Sequence, residues 1–224
     1  MTGSGIDLPR RVVAEAVGSA LLLAAIVGSG IMAERLAGGN VAVALLANTL
    51  ATGAALVALI SAFAPLSGAH FNPVVTIADA WQGGRPWRDV PPYVAAQFAG
   101  AIAGVVAANV MFDLPPIVAS RHARAGASQL FSESIATFGL LTVIEGCAGL
   151  PVTAVALAVG GYITAAYWFT ASTSFANPAV TLARSASDTF AGIRPADVPG
   201  FVMAQLAGGA VAIVLWRWLR RWTR

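Results

Sequence analysis

Two asparagine residues, each followed directly by proline, are the residues of this sequence whose type and spacing suggest a chemistry. Asn72 opens the segment NPVVT, and Asn177 opens NPAVT about a hundred residues later. Asparagine before proline is a strong helix start, because the asparagine oxygen caps the helix and proline at the first helical position needs no N–H partner. The amide NH₂ group is then available as a donor. Water or a neutral hydroxylic solute is therefore the predicted ligand of both side chains.

The composition indicates an integral membrane protein. Of 224 residues, 58% are hydrophobic and only 10% are charged, and the mean hydropathy is +0.76, whereas soluble domains are about 25% charged. A hydrocarbon core of roughly 30 Å takes about 20 helical residues to cross. Six apolar stretches have this length, and they lie at approximately 11 to 33, 41 to 62, 90 to 112, 128 to 149, 151 to 172 and 198 to 219.

The positive charge of the chain lies in arginines near the ends of these stretches. More of them fall on the side that holds both termini than on the other side, and this bias predicts that both termini are cytoplasmic. We therefore expect a multi-pass protein of the cell (inner) membrane, with the lipid bilayer as a partner. The membrane accounts for the pI of about 9.8, so no nucleic-acid partner is predicted.

The second half of the chain repeats the first. Glu15 in the first span is matched by Glu133 in the fourth, and a DVP segment opens both the third and the sixth span. The Asn-Pro segments occupy equivalent places. The repeats cover about 11 to 112 and 128 to 219 within a single domain of residues 1 to 224. Because each half has three spans, the second copy is inverted in the membrane, and inverted repeats bring equivalent elements together near the midplane.

Each Asn-Pro segment is predicted to open a half-helix. The helical stretch after each asparagine has roughly nine residues and is about 13 Å long, half the thickness of a bilayer. Non-helical backbone before it, at 65 to 71 and 171 to 176, is tolerated at membrane depth only where it is enclosed by protein or lines water. The predicted fold is an all-α membrane protein of six transmembrane helices and two re-entrant half-helices around a pore. Their N-terminal dipoles would repel cations at the pore centre.

The two boxes, SGAHFNPVVT and FANPAVT, within six apolar spans and each after a span that carries a glutamate, resemble the major intrinsic proteins, the aquaporins and aquaglyceroporins. The resemblance covers nearly the whole chain. It implies passive transport of water or small neutral solutes with exclusion of protons, a homotetramer of independent pores, no cofactor or metal, and no enzymatic activity. Val74 departs from the usual alanine, and we expect a shift in packing between the half-helices.

The resemblance also implies roles for the residues around the boxes. Glu15 and Glu133 would accept N–H bonds from the re-entrant loops; a proton relay in a coupled transporter is the alternative. His70 would act mainly through its main chain, and the alternative is an imidazole that gates with pH. The backbone carbonyls that would line the two half-pores are those of Gly68, Ala69, His70, Thr173, Ser174 and Phe175.

The sequence departs from the family at the constriction that selects solutes. The family commonly places an arginine directly after the second box, where this chain has Val180. The implied partners are Thr52, Ser174 and a fifth-span residue between Ile163 and Ala165, for which we take Ala165. None of these is charged or a large aromatic, so the predicted filter is wide and neutral.

Asp79 and Arg184 stand seven residues after the two asparagines. Two interpretations of these residues remain open. Both side chains could reach the membrane interfaces, or Arg184 could partly replace the missing filter arginine, because it shares a helix face with Val180.

The predicted function is a passive channel for water and small uncharged solutes such as glycerol and urea. Metalloid hydroxides and arsenicals are included because the phrase NPAVTLARS resembles a bacterial branch associated with arsenic handling. A secondary transporter built on inverted repeats is the alternative, and a purely structural membrane protein is a third. Ionisable residues within the spans are sparse, essentially Glu15, Glu133 and Glu145, which disfavours an ion route.

Overall fold

The computed structural model describes residues 6–220, and every regular element in this range is helical. Six of the helices are long and apolar enough to cross a membrane, which confirms the six predicted spans. Two short helices, α3 and α7, follow the Asn-Pro boxes. The bounds are α1 Leu8–Leu36, α2 Val41–Ser67, α3 Pro73–Trp81, α4 Val90–Met111, α5 Ala127–Gly146, α6 Val152–Phe169, α7 Pro178–Arg184 and α8 Val198–Leu219.

Helix α2 is longer than the sequence predicts. It continues through Pro65 and ends at Ser67, with Gly68 in the left-handed conformation at φ 95°. Non-helical backbone therefore begins at Gly68 and the prediction of a start at Pro65 is wrong. The extension is stable because the Ser67 carbonyl, which has no partner within the helix, accepts bonds of 2.9 Å from Arg85 Nη2 and from the Tyr93 hydroxyl.

Equivalent helices of the two halves pack in the same way. Helix α1 packs along α4, and α5 packs along α8. Glycines allow these contacts: a Cβ on Gly100 would lie 2.1 Å from the Ala16 carbonyl oxygen, and one on Gly208 would lie 2.1 Å from the Ser134 carbonyl oxygen. The halves meet through α2 and α6 and through the two short helices, each of which contacts α4 and α8.

The valine of the first box packs against α5 and α8. Val74 lies in a buried apolar cluster with Leu141, Ala212 and Ile213. Gly209 leaves room for it, because a Cβ there would lie 2.6 Å from Val74 Cγ1. The extra volume of valine is thus accommodated at the surface of α8, and not only between the half-helices as the sequence suggests.

Candidate functional site

The two box asparagines cap their own half-helices and also join the two halves of the protein. Asn72 Oδ1 accepts from the Val74 N–H at 2.9 Å, and Asn177 Oδ1 accepts from the Ala179 N–H at 2.9 Å. Each amide nitrogen donates to the loop of the other half: Asn72 Nδ2 to the Ala176 carbonyl and Asn177 Nδ2 to the Phe71 carbonyl, both at 2.8 Å. One hydrogen of each NH₂ group is therefore used between the halves, and the second remains for a ligand.

The first re-entrant loop is held by a carboxylate inside the protein. Glu15 has no exposed surface. Its oxygens accept from the backbone N–H groups of His70 and Phe71, at 3.0 and 2.7 Å, from the Ser67 hydroxyl and from Gln97 Nε2. Loop backbone that no water or helix could satisfy is thus hydrogen-bonded by this side chain.

The second loop repeats this arrangement. Glu133 is equally buried and accepts from the N–H groups of Phe175 and Ala176, both at 2.9 Å, and from Gln205 Nε2 at 2.6 Å. The loops need such support because several residues that are not glycine adopt positive φ, namely Ala69, Phe71, Thr173, Ser174 and Ala176. Conformations of this kind persist only where the surroundings enforce them.

A cavity of about 570 Å³ passes both box asparagines. We call its two ends the α3 mouth, lined by Asp79, Gln82, Glu145 and Arg220, and the α7 mouth, lined by Thr52, Tyr167, Ser174, Val180 and Arg184. Of the residues predicted to supply carbonyls, Gly68, Ala69, His70, Ser174 and Phe175 line this cavity. Thr173 is not among the lining residues, and its hydroxyl lies 3.4 Å from Arg124 Nη1.

The choice of Ala165 for the filter is wrong. Ala165 lies on the exposed side of α6, whereas Ile163 and Tyr167 line the cavity. The Tyr167 hydroxyl lies 3.4 Å from the Oγ1 atom of Thr52, the residue of the second span that the sequence predicts for the filter. A signal for Tyr167 exists in the sequence: Val155, Val159, Ile163 and Tyr167 recur at intervals of four and share one face of α6.

Val180 and Arg184 both face the cavity, one helical turn apart. Val180 is 3% exposed and Arg184 is 2% exposed. The guanidinium carbon of Arg184 lies 3.4 Å from the centre of the Phe175 ring, and its Nε donates to the Ala191 carbonyl. The interpretation that Arg184 reaches the membrane interface is therefore wrong, because its side chain folds inwards against the loop.

A second buried arginine near the α7 mouth gave no recognisable signal in the sequence. Arg124, in the connection between α4 and α5, donates from Nε to the Gly192 carbonyl at 2.8 Å. Its guanidinium carbon lies 5.1 Å from the centre of the Phe175 ring, so two arginines contact this ring. Partial burial, together with the positive charges of Arg124 and Arg184, lowers the pKa of His122 in the same connection.

The α3 mouth has paired charges. Asp79 Oδ2 lies 3.3 Å from Arg85 Nε and 3.5 Å from His70 Nε2, and Glu145 Oε2 lies 2.9 Å from Arg220 Nη1. Asp79 keeps a partly exposed side chain and lines the cavity. Within residues 6–220, no three His, Cys, Asp or Glu side chains are grouped so that they could hold a metal ion.

Comparisons with known proteins agree with this architecture. The family model "Major intrinsic protein" matches residues 4–151. The aquaglyceroporin AqpS of Rhizobium meliloti is 57% identical over 95% of this chain and 91% of its own length, and the probable aquaporin AqpM of Archaeoglobus fulgidus is 31% identical over 96% and 99%. The X-ray structure of the aquaglyceroporin from Plasmodium falciparum shares the fold, with a TM-score of 0.68, 20% identity and 96% of both chains covered. The chain therefore belongs to the major intrinsic protein family, whose members are channels and not enzymes.

Proposed function

We propose that this protein is a passive channel for water and small uncharged solutes, with glycerol as the first solute to test. The observation that carries the proposal is the position of Asn72 and Asn177, which meet in one cavity and each retain an amide hydrogen for a ligand. The similarity to a protein named aquaglyceroporin supports solutes of the glycerol class. The whole chain, residues 1 to 224, would form one channel domain.

The lining of the cavity suits solutes that have hydroxyl groups on a short carbon frame. Leu22, Ile26 and Val159 contribute apolar surface, while the asparagines and the re-entrant loops contribute polar groups. Glycerol can place its carbon atoms against the apolar side chains and its hydroxyl groups against the polar groups. Such pores select by their diameter and by the hydrogen-bond donors and acceptors that line them.

Urea, undissociated metalloid hydroxides and arsenicals extend this proposal. The small side chains at Thr52, Ser174 and Val180 leave the α7 mouth without a bulky group at these positions. A solute larger than water would therefore meet less obstruction here than at a filter with an arginine at position 180.

The membrane setting is part of the proposal. Large apolar side chains on the outside of the helices would contact lipid, among them Leu21, Leu50, Leu157 and Val214. We place both termini in the cytoplasm of a cell with the protein in the inner membrane, because arginines such as Arg11, Arg85 and Arg220 lie on the side of the termini. A homotetramer is expected from the family.

A secondary transporter is not favoured. Its ion route would need titratable groups that bind and release protons, yet Glu15 and Glu133 have their oxygens occupied by loop N–H groups and by the neighbouring glutamines. The loops would have to release these bonds in each cycle. A structural support explains the same residues without such a step.

Stopped-flow light scattering on liposomes that contain the purified protein tests the proposal. Water, glycerol, urea and a metalloid hydroxide are compared with the same solutes in protein-free liposomes. We expect faster shrinkage under an impermeant osmolyte and faster re-swelling with each solute. Rates equal to those of protein-free liposomes for all four would overturn the proposal.

A further inference from the structure

Arg184 has a donor that no group in the described part of the chain uses. Its Nε atom donates to the Ala191 carbonyl, and its guanidinium carbon lies over the Phe175 ring. Its Nη1 atom is buried and has no hydrogen-bond partner among residues 6–220. Arg184 also lines the cavity, so a guanidinium group with an unused N–H donor lies beside an unfilled space. Buried donors without partners are rare and costly, so we expect the guanidinium group to turn and donate to a ligand in the cavity.

The charge of Arg184 is also unpaired within the described part of the chain. The ion pairs there involve other arginines. Glu133 attracts the charge of Arg184 electrostatically, but the two side chains are too far apart to form an ion pair. Arg124 adds a second positive charge nearby. The residue of the first half that corresponds to Arg184 is Asp79, which pairs with Arg85. The α7 mouth is therefore electropositive, while the charges of the α3 mouth are paired. A buried unpaired charge in a membrane protein usually has a functional role.

The position of Arg184 fits a selectivity role. It follows Val180 by four residues on α7, so the two side chains share a face and differ in depth by one helical turn, about 5 Å. The hydroxyl groups of Thr52 and Tyr167 form the wall beside it. A solute at this level would meet a cationic donor together with two hydroxyls.

We propose that Arg184 is the specificity-determining cation of this channel, and that its guanidinium group binds an oxygen atom of the passing solute. The charge that the family commonly has at position 180 is thus displaced one turn towards the α7 mouth, and the wall at position 180 remains apolar and wide. Solutes with an acceptor oxygen, such as water, polyols, urea and undissociated oxyacids, are admitted. Cations of the same size are repelled. This inference rests on the proposed channel function.

Urea and the guanidinium ion form a matched pair of probes, because both are planar and of similar size but only urea is neutral and carries an oxygen. Permeation of each into liposomes is measured for the native protein, for Arg184→Gln and Arg184→Met, and for Arg184→Lys. We expect the ratio of urea to guanidinium permeability to fall at least tenfold in the two neutral variants. It should stay near the native value in Arg184→Lys, which keeps the charge. Arg121→Gln, at an exposed arginine, is the matched control.

A second experiment moves the positive charge from position 184 to position 180. Adding Val180→Arg to Arg184→Gln should restore exclusion of guanidinium, because it places a cation on the same face one turn deeper. A native channel that conducts urea, combined with an unchanged ratio in folded Arg184→Gln and Arg184→Met, would overturn the inference. A native protein without any solute flux would instead overturn the proposed function, so the two failures are distinct.

A labelling measurement on the native protein applies if the neutral variants do not fold. Butanedione reacts with accessible arginines, and mass spectrometry reports the modified positions. Glycerol should slow the labelling of Arg184 severalfold and leave that of Arg121 unchanged. Equal rates at Arg184 with and without glycerol would refute a solute contact at this side chain.

Discussion

The amide groups of Asn72 and Asn177 perform three tasks with a small number of atoms. Each oxygen caps a half-helix, one N–H bond reaches the loop of the opposite half, and the second hydrogen remains for a ligand. Aspartate has no donor and serine has one, and the amide group of glutamine lies one methylene further from the backbone. The proposed chemistry of the pore centre therefore requires this residue type.

Replacing either asparagine with aspartate should damage the centre of the pore. Asn72→Asp keeps a capping oxygen. In the native protein the Ala176 carbonyl accepts a hydrogen bond of 2.8 Å from the Asn72 amide, and in the variant this carbonyl would face a carboxylate oxygen instead. Loss of that bond should lower the free energy of unfolding by about 1–3 kcal/mol, and solute flux should fall or a cation leak should appear. Thermal unfolding and liposome flux measure the two effects. Normal insertion with native flux and no cation conductance in both Asn72→Asp and Asn177→Asp would refute the central-pore assignment.

A second substitution tests the neutral wall at position 180. Val180→Arg should reduce glycerol and urea permeation much more than water permeation, because a guanidinium narrows the lumen while a single water can still pass. Two cations would then lie one turn apart on α7, which adds repulsion between positions 180 and 184. Val180→Leu controls for size. Equal ratios of solute flux to water flux in native and arginine forms, at matched amounts of folded protein, would show that position 180 does not select.

The sequence allowed prediction of residues that local rules determine, and it failed where the fold must be known. Asn72 and Asn177 follow from helix capping, and both lie at the N-caps of short helices as predicted. Tyr167 was missed as a cavity residue because the fifth-span residue was chosen by its distance along the chain from the second Asn-Pro box. That distance does not show which face of α6 is turned towards the cavity. The inward orientation of Arg184 depends on the Ala191 carbonyl, which a distant loop supplies.

Among the elements, the close contact of α1 with α4 depends on the absence of side chains at Gly100 and Gly104. Gly100 and its equivalent Gly208 each face a carbonyl oxygen of the adjacent helix across a gap that admits no Cβ. Small residues let membrane helices approach in this way. Such contacts can be suspected from repeated glycines, but their partners, Ala16 and Ser134, emerge only from the structure.

Gly100→Ala should destabilise the protein although alanine favours helices. The new Cβ would lie 2.1 Å from a backbone oxygen of α1, so the helices must separate, and overpacking of this kind costs about 1–3 kcal/mol. Gly161→Ala is the matched control, because nothing lies within 4 Å of a Cβ built there on α6. Thermal unfolding in detergent should show a lower midpoint for Gly100→Ala only. A midpoint equal to that of Gly161→Ala would mean that α1 and α4 are not in rigid contact.

The whole molecule is a duplicated scaffold with two different mouths. The elements shared by both halves, such as the glutamates that hold the loops, recur in the sequence and could be predicted from it. The differences arise where the repeat is broken: Arg124 belongs to the connection between the halves, and Arg220 follows the last helix. A residue that occurs outside the repeat has no equivalent in the other half to indicate its contacts, which is why the contacts of Arg124 and Arg220 were not predicted, whereas Asp79 and Arg184 were singled out.

The reciprocal bonds between the halves bear on the mode of transport. Alternating access requires one half to move against the other, but the Asn72–Ala176 and Asn177–Phe71 bonds connect the halves at the pore centre. Transport through a fixed pore should therefore be driven by the solute gradient alone. We expect glycerol flux to be linear in its gradient, unaffected by a proton gradient, and without counterflow of labelled glycerol. Saturation together with counterflow would indicate a carrier.

Glu133→Gln separates a structural carboxylate from a proton relay in this fixed pore. The glutamine keeps one acceptor for the Phe175 or Ala176 N–H group but turns an NH₂ group towards the other, so one loop donor loses its partner. An unsatisfied buried donor costs about 1–3 kcal/mol, so the thermal midpoint should fall while the flux per folded channel keeps its independence of proton gradients. Glu15→Gln should behave alike, since the carboxylate of Glu15 holds the other loop.

A proton relay would give the opposite result, with little change in the thermal midpoint and a changed response to a proton gradient. Measuring both quantities on the same liposome preparations therefore decides whether these buried carboxylates hold the loops or carry protons.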